Sequence, residues 1–159
     1  MNNRLLLLSL VAVLSGCASS GPQTQYYSFF ASDKTTVISP SNSVSSSIGI
    51  GPVNIPEYMD NPAIVSLSAS QKVRVSGYHA WAGGLKESIV RTMSAEFQQL
   101  LPSAVISPFP WDARIRPKYQ VQIQLTDFSG QRGGQVELSG RWVVIDQQYN
   151  IGLIAIMQH

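Results

Sequence analysis

The sequence predicts an α+β fold, a two-layer sandwich in which a mainly antiparallel sheet packs against one long helix. Residues 81–101 carry an apolar stripe with helical spacing. Residues 119–128 and 136–145 alternate between apolar and polar side chains, as paired strands do. Few clean strand–helix–strand repeats are visible, which argues against a parallel α/β sheet. The chain length of 159 residues suits one such domain behind a short leader.

A lipoprotein signal peptide is predicted at residues 1–16. Arg4 supplies its positive charge, and residues 5–14 form an apolar stretch too short to span a bilayer. Small residues then precede Cys17, so we expect signal peptidase to cut between Gly16 and Cys17. By analogy with bacterial lipoproteins, Cys17 would then carry an S-diacylglycerol and an N-palmitoyl group. Several acyl chains together anchor a protein stably in a membrane.

Cys17 is the only cysteine of the chain. A lone cysteine can also be a small buried hydrophobe or a free thiol left over from a disulfide pair. Its position directly after an apolar leader favours lipidation. Enterobacterial lipoproteins carry their sorting signal at the residue directly after the acylated cysteine. This residue is Ala18 and not an aspartate, so by that analogy the protein is sorted to the outer membrane. Residues 17–25 are then a lipidated tether, and residues 26–159 are a single periplasmic domain.

The first half of that domain is predicted to consist of short strands. Four segments have strand composition: residues 26–30, 48–55, 63–67 and 72–75. Glycines and a proline in the second segment indicate a bulge or a sheet edge. The last two segments form a predicted hairpin around Ser68–Gln71. Residues 39–47 and 56–62 are rich in loop and turn formers.

The best helix candidate spans residues 81–101. Its apolar side chains recur every four residues and share one face: Trp81, Leu85, Ile89, Met93, Phe97 and Leu101. Charged side chains occupy the opposite face, and Pro102 ends the helix. A stripe of this kind is far more often core than a cofactor site, so we predict that it packs on the sheet.

The clearest strand candidate is the segment 119–128. Apolar side chains there alternate with Gln120, Gln122 and Gln124. One face of the strand is therefore predicted to be buried, and the other is solvated or mated to another chain. A turn at residues 129–134 leads into the segment 136–145, so the two segments are predicted to form a long antiparallel hairpin.

Composition and motifs argue against nucleic-acid binding and against catalysis. The chain has 11 Lys and Arg against 9 Asp and Glu, which leaves almost no basic excess. The two histidines, His79 and His159, belong to no metal-ligand pattern. We expect His79 to be a surface or capping residue. Because no nucleophile motif and no cofactor fingerprint occur, we predict a non-enzymatic protein without a cofactor or metal.

Two charged clusters allow both a functional and a structural interpretation. Glu57 and Asp60 have the residue types of an acid–base pair, but they also suit a turn-rich connector. Three basic side chains near Trp111 have the charge to meet phospholipid headgroups: Arg114, Arg116 and Lys118. A solvated loop is the simpler interpretation of that run. We favour the structural interpretation in both cases.

Beyond these patterns, an ordered set of motifs resembles a known family. The motifs are residues 14–17, 26–27, 51–59, 81–85, 100–102, 110–111 and 133–142. Each is weak alone. Together and in this order they resemble the ABC-type transport auxiliary lipoproteins, over about residues 1–145 of this chain.

The resemblance implies a docking and scaffold role in an MCE-type intermembrane lipid transport system. The implied partners are an MCE-domain protein, inner-membrane transport components and outer-membrane phospholipid, which the anchor meets. Family members form rings, so a homo-oligomer is expected. The candidate partner interface consists of Pro56, Glu57, Tyr58, Gln120, Gln122 and Gln124. The alternative function is a structural or assembly lipoprotein that binds peptidoglycan or an outer-membrane protein complex.

The resemblance weakens after residue 145. Family members continue with a further strand and a C-terminal amphipathic helix, whereas residues 151–157 here are apolar without a clear period. We therefore expect a chain that is truncated at its C-terminus and lacks the family's last helix.

Overall fold

The structure, a computed structural model, describes residues 21–32, 46–67, 72–112, 114–130 and 134–158. Among these residues, no helix combines the length and the apolarity needed to cross a membrane. The strands are β1 (Gln25–Tyr27), β2 (Ser47–Asn54), β3 (Ala63–Leu67), β4 (Val73–Trp81), β5 (Val105–Pro108), β6 (Tyr119–Gly130), β7 (Val136–Asp146) and β8 (Ile151–Gln158). Helix α1 spans Leu85–Leu100, and a 3-10 helix spans Glu57–Met59.

A five-stranded sheet with the order β5-β2-β6-β7-β8 forms the larger layer. β2 pairs in parallel with β5 and with β6. β7 is antiparallel to both of its neighbours, β6 and β8. The α+β class is as predicted, but the pairing is mixed where a mainly antiparallel sheet was expected. The parallel part exists because α1 lies in the long crossover that parallel strands require between β2 and β5.

A three-stranded sheet with the order β1-β4-β3 accompanies the larger one. β3 and β4 form the predicted antiparallel hairpin, with Leu67 opposite Val73. The predicted turn at residues 68–71 lies outside the described residues. β1 pairs in parallel with β4, with Tyr27 opposite Trp81. The first strand therefore ends at Tyr27, earlier than its composition indicated.

The predicted long hairpin is formed by β6 and β7. Its register runs from Tyr119 opposite Asp146 to Gly130 opposite Val136. A shift between Leu125 and Asp127 makes a bulge there. The bulge changes the phase of the alternation, so Phe128 packs against the core although it shares its even number with the polar side chains. The sequence pattern alone predicts the opposite face for this residue.

Helix α1 begins four residues later than predicted. Trp81 is the last residue of β4, and its backbone N–H donates to the Pro62 carbonyl at 2.8 Å. Gly84 occupies the N-cap position without a side-chain cap. Since the Trp81 backbone is used in strand pairing, the helix cannot start there. The Trp81 ring instead stacks on Phe29 at a centroid distance of 5.0 Å.

The core lies where α1 packs over β2 and β5, at one side of the larger sheet. Its buried side chains are Ile50, Val53, Met59, Leu85, Val90, Val121, Ile123 and Leu125. Three of these come from β6 at alternate positions, as the period of two predicted. The other half of the sheet, toward β7 and β8, contributes only partly buried side chains to this cluster.

The glycines of β2 predicted either a bulge or a sheet edge. The strand is not an edge, because it lies between β5 and β6. The predicted bulge is present, because the register between β2 and β6 shifts between Ile50 and Val53. Gly51 has φ +114°, and a Cβ there would lie 2.6 Å from the Cβ of Phe109. Glycine is therefore required by backbone conformation and by packing at once.

Two strands of the structure, β5 and β8, were not predicted from the sequence. β5 is only four residues long. β8 corresponds to the apolar segment whose period was unclear, and it pairs with β7 from Ile151 to Gln158. The helix α1 packs over β2 and β5 at the other side of the sheet, so both faces of β8 are exposed and neither imposes an alternation. Ile151, Leu153, Ile154 and Ile156 are all exposed.

Candidate functional site

The predicted anchor residues, Gly16 and Cys17, lie outside the described residues, so cleavage and lipidation stay predictions. The described chain starts at Gly21, and the stretch from there to β1 is exposed.

The predicted interface residues of β6 lie together on one face of the larger sheet. This polar sheet face is defined here by Gln120, Gln122, Gln124, Asn54 and Arg141. Asn54 is paired with Gln124 in the register, and so is Arg141 from the other side. The single α-helix of the described residues packs on the opposite face, because its Val90 joins the core cluster there. The polar sheet face is therefore not covered by α1.

A shallow depression of about 310 Å³ lies on the polar sheet face. Gln122, Gln124 and Asn54 line it, together with Arg141 and Ile154. The Arg141 guanidinium donates to Gln124 Oε1 through Nε at 3.0 Å and through Nη2 at 2.6 Å. This pair fixes the orientation of the amide, so that its NH₂ group remains available to donate outward.

The second part of the candidate interface is the connector, residues 56–60, which follows β2. Glu57 is exposed, whereas Tyr58 is half-buried and packs against the core. The Tyr58 hydroxyl donates to Asp127 Oδ1 at 2.8 Å. Burial of the ring raises the pKa of Tyr58 to about 12, and the hydrogen bond with Asp127 and its negative charge add to this shift. The phenol is therefore a protonated, structural link to β6.

The connector is tied to α1 as well. Asp60 Oδ2 accepts a hydrogen bond from Lys86 Nζ at 2.6 Å, with both side chains more than one-third exposed. The Asp60 carboxylate is thus engaged in an ion pair with a lysine. Its position agrees with the interpretation of Glu57 and Asp60 as members of a structured turn. Within the connector, Glu57 and Asp60 are the exposed side chains, and Asp60 is the one held in an ion pair.

The basic run near Trp111 is only partly free to attract an anion. Arg114 donates to both carboxylate oxygens of Asp112, at 2.9 Å and 2.6 Å. Those bonds hold the pKa of Asp112 below its usual range. The Lys118 ammonium lies 5.3 Å from the centroid of the Tyr119 ring. The solvated-loop interpretation suits this arrangement.

His79 lies in β4 and does not cap α1. Its Nδ1 is 2.9 Å from the Tyr27 hydroxyl, across the β1–β4 pair. Within the described part of the chain, no group of three or more His, Cys, Asp or Glu side chains is arranged to hold a metal ion.

An apolar groove was not predicted from the sequence. It runs between α1 and the β6–β7 part of the sheet and encloses about 390 Å³. Its lining is entirely apolar: Ile89, Met93 and Phe97 from α1, Ile123, Phe128, Leu138 and Trp142 from the sheet, and Phe29 from the segment after β1. The helical stripe identified these α1 residues as core, but the structure leaves all three only half-buried. Sequence periodicity marks an apolar face without telling whether another element covers it.

Comparison with known proteins defines the class of this protein. Residues 27–153 match the family described as ABC-type transport auxiliary lipoprotein component. The chain belongs to this family, as the motif order had indicated.

The relatives include the intermembrane transport lipoprotein PqiC of Escherichia coli strain K12, which is 24% identical over 144 residues. That match covers 89% of this chain and 74% of the relative. The protein of the same name in Shigella flexneri matches equally well. Among solved structures, a protein of Xanthomonas campestris has the same fold, with a TM-score of 0.68 at 12% identity over 86% of this chain and 77% of that one. A second, uncharacterised protein has a TM-score of 0.61 at 18% identity with the same coverage.

Proposed function

We propose that this chain is an outer-membrane-anchored accessory lipoprotein of an MCE-type intermembrane lipid transport system, where it serves as a docking and scaffold component. The observation that carries the proposal is the family match across residues 27–153. The relatives are named intermembrane transport lipoproteins, which supports a role in transport between membranes.

The anchor would be Cys17, acylated at the periplasmic face of the outer membrane. The seven residues from Ala18 to Thr24 would connect Cys17 to Gln25, the first residue of β1. Fully extended, such a tether reaches about 26 Å. The domain would therefore stay close to the membrane while it turns toward a partner.

We assign the polar sheet face to contacts between copies of this chain. Glutamine side chains carry both donors and acceptors, so a row of them can bond to the same row on another subunit. Ile154 lines the depression on this face and is 57% exposed, which adds an apolar contact beside the amides. Interfaces of this kind combine an apolar part with about one hydrogen bond per 100–200 Å².

The oligomer is tested by light scattering of residues 26–159 after size-exclusion chromatography. Gln122→Lys places a second cation beside Arg141 and should shift the mass toward the monomer. Arg114→Gln, on an exposed loop outside this face, is the matched control and should leave the mass unchanged. A wild type that stays monomeric at high concentration contradicts the assignment.

The transport role is tested by affinity purification of the tagged full chain from solubilised membranes, with an unrelated outer-membrane lipoprotein as control. Enrichment of an MCE-domain protein together with phospholipid is the expected result. Enrichment of peptidoglycan fragments or of an outer-membrane protein complex in their place would refute the transport role and support the structural alternative.

A further inference from the structure

The three-stranded sheet β1-β4-β3 packs on the rest of the domain through Trp81, the last residue of β4. The Trp81 ring stacks on Phe29 at a centroid distance of 5.0 Å and on Phe128 at 6.4 Å, so its side of the sheet is the inner face. Successive residues of a strand point to opposite faces. Ala80 and its register partner Tyr26 therefore lie on the outer face, which points away from the core.

The outer face carries a set of exposed apolar side chains. Ala63 of β3 also pairs with Ala80 and shares its face. Two residues along β3, Val65 pairs with Val75, which places Val75 on the outer face as well. Together with two further β4 residues that alternation places there, these side chains define the tyrosine–valine face: Tyr26 (70% exposed), Val73 (49%), Val75 (56%) and Tyr78 (52%). Contiguous exposed apolar patches mark interaction surfaces.

The tyrosine–valine face carries no charge. Strands β1, β3 and β4 contain no Asp or Glu. Their one arginine, Arg74, pairs with Ser66 and alternates with the valines of β4, so it lies on the inner face. A partner that recognises charge therefore finds nothing to bind here. Tyrosine, with an apolar ring and a polar tip, is enriched where a bilayer meets water, and valine supplies hydrocarbon for the acyl boundary just beneath.

The position of this face in the chain favours a membrane over another protein. Tyr26 is the second residue of β1, which directly follows the tether from Cys17. The tether reaches about 26 Å when fully extended. Acyl chains at Cys17 would therefore hold the face close to the headgroups, at an effective concentration of about millimolar. At such a concentration, even a weak contact is sufficient to orient the domain.

We propose that the tyrosine–valine face lies on the surface of the bilayer that receives the acyl chains of Cys17, with the hydroxyls of Tyr26 and Tyr78 among the phospholipid headgroups. Val73 and Val75 then contact the start of the acyl chains. The inference rests on the lipid anchor of the proposed function and goes beyond it, because it fixes the orientation of the domain. The larger sheet, which contacts the three-stranded sheet from its inner side, then faces the periplasm.

Photo-crosslinking of the full chain in living cells tests this orientation. Tyr26→p-benzoylphenylalanine and, independently, Tyr78→p-benzoylphenylalanine place the reactive ketone on the face with little change of shape. Tyr27→p-benzoylphenylalanine is the matched control, because Tyr27 is the next residue of the same strand but lies on the inner face, paired with Trp81. Tyr149→p-benzoylphenylalanine is an exposed control in the turn after β7. After irradiation, mass spectrometry of the purified protein identifies the adducts.

We expect phospholipid adducts at Tyr26 and Tyr78 with a yield at least about fivefold above that at either control position. Val75→Asp, added to the Tyr26 variant, should lower its lipid yield about fivefold, because a carboxylate replaces hydrocarbon at the contact. Val105→Asp, at an exposed valine of β5, is the control and should leave the yield unchanged. The proposal is overturned by equal yields at all four positions, by an undiminished yield with Val75→Asp, or by adducts with the mass of a second copy or of another protein.

Membrane fractionation of the same cells separates this inference from the proposed function. A wild type that sediments with the membranes, while the Tyr26 and Tyr78 variants give no lipid adducts, refutes the orientation alone. Lipid adducts at these positions without any MCE-domain protein in the affinity purification refute the transport role and leave the orientation intact. A wild type found only in the soluble fraction refutes the anchor and the orientation together.

Discussion

Tyr58→Phe removes the hydrogen bond that links the connector to β6 while keeping the ring in the core. The Tyr58 hydroxyl donates to Asp127 at 2.8 Å. A hydrogen bond to a charged group contributes about 1.5–3 kcal/mol. Because Tyr58 is only half-buried, we expect a loss of about 1–2 kcal/mol in the free energy of unfolding. For a domain of this size, that lowers Tm by roughly 3–8 °C.

The same bond makes a prediction about pH. Folding raises the pKa of Tyr58 from 10.0 to about 12, so the folded state holds the phenolic proton more tightly. The stabilisation is therefore complete below pH 10.0 and is lost as the pH rises toward about 12. The difference between wild type and Tyr58→Phe should shrink over that interval.

The assay is urea unfolding of both proteins at neutral pH and at alkaline pH, followed by tryptophan fluorescence. Asp127→Asn and the double variant complete a thermodynamic cycle, which isolates the energy of the pair from the other contacts of each residue. The reasoning is refuted if Tyr58→Phe unfolds at the same urea concentration as the wild type, or if the difference between them does not depend on pH.

Three further substitutions give simple expectations. Cys17→Ser should move the protein from the membrane fraction to the soluble periplasmic fraction, because the acylated thiol is lost; continued membrane association would contradict the anchor. Gly51→Ala should destabilise the fold by roughly 2–4 kcal/mol, because φ is +114° and a Cβ would lie 2.6 Å from that of Phe109. A denaturation midpoint equal to that of the wild type would count against this. Asp60→Asn should cost less than about 1 kcal/mol, since its ion pair with Lys86 is exposed, and the cost should vanish at high salt.

The elements that sequence predicted well are those whose pattern is local. In β6, apolar side chains at Val121, Ile123 and Leu125 alternate with glutamines, and a period of two is sufficient to define a half-buried strand. In α1, the four-residue spacing defined the helix, while its start at Leu85 depended on the pairing of Trp81 with another strand. Such pairing is a tertiary contact that periodicity does not contain.

The features that sequence did not predict depend on neighbours. β8 has no clear period because neither of its faces is covered by another element, and the bulge at Thr126 moves Phe128 to the core face without any glycine or proline to mark it. The polar sheet face was predicted, since the glutamines share a face in any strand. The apolar groove was not, because its existence follows from the width of the sheet relative to α1.

The proposed docking role requires this lipoprotein to bind an MCE-domain protein. Equilibrium binding between the purified lipoprotein and the purified periplasmic part of the MCE-domain protein from the same bacterium measures this directly. We expect saturable binding with a Kd of about 1 μM or tighter, corresponding to about −8 kcal/mol. Absence of binding at about a hundred times that concentration, or equal binding to an unrelated periplasmic protein, would contradict it.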